Sequence, residues 1–219
     1  MATKKTTEKK VKDLPNKPDA SYLLWPNEKQ IRNAMVLGAA SGLDGAILIS
    51  FFEGKPIRIF PSIEFNADTE NAEDEWASTN RTLLSDNLSN KHSLIIVSER
   101  MKNFLMKLKL SSIECHPVTI KDLKKKKHTY FMIHLLKPID CLDREASRAV
   151  ALPSNKSHIM AVKKVALRSD VVIDPERALF RIATYSHARL IRAELAAAIA
   201  KEFPGMKFRS LDPQDEWNS

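Results

Sequence analysis

The most constraining feature of this 219-residue chain is the order of events between Ser93 and Leu136. Leu94-Ile95-Ile96-Val97 is a short apolar, β-branched run, and Ser98 follows it as an N-cap. Met101, Phe104, Leu105 and Leu108 then fall at i, i+3, i+4 and i+7, while Lys102, Asn103, Lys107 and Lys109 take the other side. That spacing predicts one amphipathic helix packed on a sheet. Ile113 to Val118 and Thr129 to Leu136 read as strands separated by a turn at Lys124 to Lys127.

A similar unit recurs after Arg189-Leu190-Ile191. Leu195, Ala198, Ile199 and Phe203 line one helical face, and Gly205 stops the helix before Met206-Lys207-Phe208. Two origins fit the likeness of the units: a duplication, or two solutions to one packing problem. Val165 to Leu167, Val171 to Ile173 and Leu179 to Ile182 are further short strand candidates, with Asp174-Pro175-Glu176 a turn. Strands outnumber helices, which predicts an α+β fold: a mixed, mostly antiparallel sheet with two or three packed amphipathic helices.

Towards the N-terminus, Tyr22 to Trp25 reads as a strand and Glu28 to about Leu37 as a helix with Ile31, Ala34 and Met35 on one face. Gly38 to Gly45 is expected to break it. Ala46 to Phe52 and Pro56 to Phe60 flank Glu53-Gly54-Lys55 with the spacing of a hairpin. Residues 1–19, Lys-rich with Pro15 and Pro18, are too poor in apolar groups to repay ordering and read as a disordered tail. The expected organisation is that tail, an N-terminal α/β lobe over 20–83, an α+β domain over 84–212 and a flexible C-terminus over 213–219.

Two cysteines in so long a chain, Cys115 and Cys141, argue against a disulfide scaffold and for a reducing compartment. No secretory signal is visible, because the Lys-rich start runs into Leu14-Pro15-Asn16. The stretch from Met35 to Phe52 is apolar enough to invite a membrane reading. Its three glycines and Asp44 fit a helix, a turn and a strand better, since a central Asp costs about 2.5–3.5 kcal/mol to insert. The expected location is therefore the cytoplasm.

The 35 Lys and Arg against 27 Asp and Glu give +8, but the excess is local. Six lysines lie in the first 18 residues, and Lys124 to Lys127 form a second run. From Glu64 to Glu75 the sign reverses, with Asp68, Glu70, Glu73 and Asp74 between and no basic residue. The chain is a charge mosaic rather than a uniformly basic surface. An acidic run carrying a tryptophan fits a protein-binding loop with an aromatic anchor, so Glu70, Glu73, Asp74, Glu75 and Trp76 are the candidate recognition residues. The alternative is a solvated loop with Trp76 in the core.

A search for chemistry yields no catalytic set. Gly38-Ala39-Ala40-Ser41-Gly42-Leu43-Asp44-Gly45 resembles a nucleotide-binding glycine loop, but the expected order, helix then strand, is the reverse of what a phosphate site requires. Asp140, Asp143 and Glu145 lack the lysine of a metal-dependent nuclease motif. Cys115, His116, His128, His134 and Cys141 are metal-ligating types without a paired C-x-x-C or H-x-x-x-H spacing, so neither metal nor cofactor is expected. Cys115 and His116, adjacent on a predicted strand, point to opposite faces and cannot form a dyad. Lys124 to Lys127 beside Tyr130 and Phe131 keeps a nucleic-acid-associated regulatory role as the alternative function.

The segment His128 to Ser147 is the most telling for function. An aromatic-apolar strand is followed by a hydrophobic residue before Asp140, a second acid at Asp143, and the pair Arg144-Glu145 leading to Ser147. With Tyr130, these residues resemble the immunity-protein domain of bacterial polymorphic toxin systems, a family first catalogued as a domain of unknown function and typified by a myxobacterial protein. Leu94 to Glu99 with the helix after it, Pro117, Leu179-Phe180-Arg181, Glu194-Leu195 and Gly205 to Phe208 are similar to the family's flanking segments, so the likeness covers about residues 84 to 212. His134 departs from it, standing where relatives often carry Asn, as does the Lys124 to Lys127 run. The resemblance implies a cytoplasmic, non-enzymatic protein that binds and neutralises a cognate toxin or effector delivered between bacteria by a contact-dependent or type VI-like route. It assigns the motif residues a structural or binding role.

Overall fold

A computed structural model describes residues 21–26, 34–67 and 83–212. The chain order is β1 (Tyr22–Leu24), β2 (Val36–Ser41), α1 (Gly45–Glu53), β3 (Glu64–Ala67), β4 (Asn87–Asn90), β5 (Ile95–Val97), α2 (Glu99–Lys107), β6 (Ile113–Lys121) and β7 (Lys127–Leu135). It continues through β8 (Val150–Leu152), β9 (Asn155–Ala161), β10 (Leu179–Arg181), β11 (Arg189–Arg192) and α3 (Ala193–Glu202). Strand dominates helix, and sheets of mixed and antiparallel pairing make this an α+β protein, as the sequence pattern predicts.

Six strands close into a barrel in the order β2-β3-β6-β7-β5-β4. The pairs β2–β4 and β3–β6 are parallel and the other four antiparallel. The long hairpin β6–β7 is its spine, in unbroken register from Ile113↔Leu135 to Lys121↔Lys127. Its turn holds Lys125 at φ 64°, and Asp122 Oδ1 accepts from the backbone N–H groups of Lys124 and Lys126. The barrel takes β2, β3 and α1 from before residue 83 and its other four strands from after it.

Alternation along the strands sorts the core into two layers. Ile96, Val118, Ile120, Tyr130 and Met132 point into the barrel with Leu37, Phe65 and Phe51. Ile95, Val97, Ile133 and Leu135 point outward and are covered by Met101 and Leu105 of α2 and Leu195 and Ile199 of α3. The three-stranded sheet β1-β11-β10 continues that outer layer, and its far face packs on the ribbon β8–β9 through Phe180, Leu190, Leu142 and Ile159. The helix after Ser98 forms as its periodicity demands: Ser98 Oγ accepts from the Met101 N–H, and Met101 and Leu105 are fully buried.

Several expected elements differ. Ala46 to Phe52 is helical, so the hairpin expected around Glu53-Gly54-Lys55 does not form. Asp44 caps the helix by accepting from the Ile47 N–H at 2.8 Å, and Gly54 ends it at φ 62°. A cap and a left-handed stop on either side of a nine-residue run outweigh the β-branched, aromatic composition between them. Val36 and Leu37 belong to β2 rather than to the end of a helix, and residues 28–33 of that expected helix lie outside the described residues. The glycine loop therefore does follow a strand and open a helix. Its glycine serves packing: Gly42 has φ 76°, and a Cβ there would sit 2.2 Å from the Ser62 carbonyl oxygen. Val165–Leu167 contributes one bridge, Leu142↔Leu167, and Met206–Phe208 leads into another, Leu24↔Arg209, instead of strands. Val171–Ile173 is irregular.

Candidate functional site

The inward file of the β6–β7 hairpin changes character as it nears α1. Reading along β6, Ile120 and Val118 are apolar, and His116 and Glu114 follow on the same face. Across on β7, Tyr130 and Met132 are followed by His134, directly opposite Glu114. Three polar side chains are thereby aimed inward beside Phe51 of α1. His116 Nε2 lies 3.3 Å and His134 Nδ1 3.6 Å from Glu114 Oε2.

Aromatic rings flank the two histidines. Phe60 stacks on His116 with centroids 4.2 Å apart and planes 10° from parallel, and Phe51 lies 4.2 Å from the His134 ring. His134 is 0% exposed. Neither of its ring nitrogens makes a hydrogen bond, nor do His116 Nε2 and Glu114 Oε2. Burial lowers the His134 pKa to about 4 against the opposing pull of Glu114, and burial likewise lowers that of His116. At neutral pH both imidazoles are uncharged and keep a free lone pair. Sequence reasoning missed this constellation because it sought ligands close in the chain, whereas here a cross-strand pair brings Glu114 and His134 together. The legible signal was the i, i+2 pair Glu114 and His116 on a long strand, with a third ligating type on its hairpin partner.

Behind the group lie two buried arginines. Arg181 and Arg189 face each other across β10 and β11, Arg181 donating to the Ser186 carbonyl with its guanidinium 5.3 Å from the Phe52 ring, and Arg189 donating to the Ser93 carbonyl at 2.7 Å. Burial lowers the pKa of Arg181 to about 9 and that of Arg189 to about 10.

The motif residues form a separate region after β7. Tyr130 is inside the barrel, its hydroxyl donating to the Ser85 carbonyl at 3.0 Å, and so is not beside the lysine turn as a stacking surface. Asp143 Oδ1 accepts from the Ala146 N–H, Ser147 exchanges two hydrogen bonds with the Ala166 backbone, and Arg144 donates to the carbonyls of Lys156 and Ser157. Asp140 and Glu145 are exposed, Asp140 lying 3.5 Å from the Thr184 hydroxyl. The motif thus braces the β8–β9 ribbon, and Asp140 and Asp143 are engaged separately. Cys115 and His116 do point to opposite faces: the Cys115 thiol lies 3.5 Å from the Met106 sulfur under α2, while His116 faces inward. Glu64 pairs with Lys127 at 2.7 Å. Glu70, Glu73, Asp74, Glu75 and Trp76 lie outside the described residues.

The engaged motif side chains thus spend most of their hydrogen bonds on the protein's own backbone, and comparison with known families supplies the class, that of an immunity protein. The family model of the Imm11 immunity proteins matches residues 13–210, and the chain belongs to that family. Such families are generally non-enzymatic, and membership implies a toxin as partner in general terms. No curated protein matches the chain. Among the described residues no helix is long and apolar enough to cross a membrane.

Proposed function

We propose that this protein binds and neutralises a cognate toxin or effector delivered between bacteria, in the cytoplasm of the cell that makes it. The observation that carries this reading is the family match across residues 13–210. A closed barrel is a suitable scaffold, since it leaves no long unpaired edge and holds a recognition surface rigid. An interface of ordinary size buries about 1,600 Å² in total and needs no catalytic group.

The acidic run is the proposed recognition surface, with Glu70, Glu73, Asp74 and Glu75 steering a basic partner and Trp76 as its anchor. Charge complementarity mainly speeds association, and a buried aromatic slows dissociation. Reversing Glu73, Asp74 and Glu75 to Lys should lower the on-rate for the product of the neighbouring toxin gene and weaken its salt dependence. Trp76→Ala should raise the off-rate without unfolding the protein. Wild-type kinetics in both variants at two salt concentrations would place the interface elsewhere. A second face then becomes the candidate, because the outer side of the β8–β9 ribbon exposes Val150 (51%), Leu152 (37%) and Met160 (55%) together. Met160→Lys tests that face in the same assay.

A further inference from the structure

We propose that Glu114, His116 and His134 form a binding site for one divalent transition-metal ion of the zinc type. A tetrahedral zinc ion holds imidazole nitrogen and carboxylate oxygen at about 2.0–2.2 Å, so its ligand atoms stand about 3.3–3.5 Å from one another. The Glu114 oxygen is 3.3 Å from the His116 nitrogen and 3.6 Å from the His134 nitrogen, and all three ligand atoms lie within 4.8 Å of one another. Bringing the two histidine nitrogens to the same spacing asks for rotation of the imidazoles against Phe51 and Phe60.

The hydrogen-bond accounting points the same way. A buried imidazole with neither nitrogen hydrogen-bonded is costly, and Glu114 Oε2 and His116 Nε2, 3.3 Å apart, lie beside it without a hydrogen bond of their own. One cation satisfies three of these four atoms at once. The remaining His134 nitrogen then carries the N–H, the tautomer that a metal-bound histidine adopts. The donor set selects the metal. Two imidazoles and one carboxylate suit zinc and its transition-metal neighbours, whereas calcium and magnesium require oxygen ligands throughout. The charge is tolerable although Arg181 is close: Glu114 offsets half of a dication, and the guanidinium is held by Ser186 and the Phe52 ring. Three protein ligands leave one tetrahedral position for water or a partner's side chain. The ion would clasp β6 to β7 at the α1 end of the barrel.

The test is titration of the full chain, free of any affinity tag and stripped by chelator, with Zn²⁺ by calorimetry at neutral pH. Mg²⁺ and Ca²⁺ serve as controls, and the absorption spectrum of the Co²⁺ form reports coordination. Saturation at one Zn²⁺ per chain, a four-coordinate Co²⁺ spectrum and a rise in Tm with added metal are expected. Affinity should fall roughly tenfold or more in Glu114→Gln and in His134→Asn, and stay unchanged in Asp140→Asn. Glu114 is partly exposed, so Glu114→Gln keeps the fold and carries the test even if His134→Asn does not. No saturable uptake, or uptake equally strong in Glu114→Gln, overturns the proposal.

Discussion

Gly54 ends α1 at φ 62°, and a Cβ built there would stand 2.5 Å from Pro138 Cδ, 2.8 Å from the Lys137 nitrogen and 2.9 Å from the Leu135 oxygen. Gly54→Ala therefore carries two separate penalties. A side chain in the left-handed region costs about 1–2 kcal/mol. The neighbours it would strike belong to the end of β7 and the backbone after it, which cannot swing away as a flexible side chain does, so overpacking adds about 1–3 kcal/mol. The sum is about 2–5 kcal/mol. Gly45, at the start of the same helix, is the internal control: a Cβ added there would meet nothing within 4 Å beyond its chain neighbours and its own helix, and its φ is not positive. Gly45→Ala should gain up to about 1 kcal/mol. Urea unfolding with m about 2–3 kcal/mol/M reads the first change as a fall of about 0.7–2.5 M in midpoint and the second as a small rise. If Gly54→Ala unfolds at the wild-type midpoint, the account of α1 as a helix locked against the end of β7 is wrong.

Leu105→Ala should cost about 2–5 kcal/mol, because Leu105 is fully buried between α2 and the barrel, whereas exposed Lys107→Ala on the same helix should stay within about 0.5 kcal/mol; urea midpoints compare them. Burial raises the Cys141 thiol to about 11 from an ordinary 9.0, so its neutral form stabilises the fold fully below pH 9, and up to roughly 3 kcal/mol of that is lost as pH climbs from 9 through 11. Alkylation of Cys141 at pH 8 should accordingly follow global unfolding, and fast labelling in the native state contradicts its burial. Arg144→Ala removes two bonds to the Lys156 and Ser157 carbonyls, so amide exchange in β9 should quicken by about one order of magnitude while the barrel amides keep their protection.

What could be read in the sequence was local and periodic. The unit β5-α2-β6-β7 was legible because Ser98, the apolar stripe through Met101 and Leu105, and the Lys124 to Lys127 turn all agree with the tertiary structure. The segment Gly45–Glu53 was misread because Ile47, Ile49 and the two phenylalanines favour strand by composition. The deciding signals, Asp44 and Gly54, sit outside the run. β3 and β4 were not foreseen, since four-residue strands such as Asn87–Asn90 have no usable period and exist through pairing with partners distant in sequence. The Glu114, His116 and His134 group shares that origin. Only the hairpin register sets His134 against Glu114, and register is a product of folding.

The ring of strands is not uniform in strength. β6 and β7 are joined over nine residue pairs, but β2 meets β4 over two, Val36↔Ser89 and Leu37↔Asn90, in the parallel sense. That seam also joins segments some fifty residues apart, so it gains nothing from a local turn. Loop closure has to be met before such a pairing is rewarded, which makes the seam a late event in folding. As thin as β4–β5 but without the short turn that joins those two strands, it would be the first place to part when the native molecule opens. The β6–β7 hairpin would nucleate the barrel, and the rate of folding would be set by how quickly Val36 and Leu37 find Ser89 and Asn90.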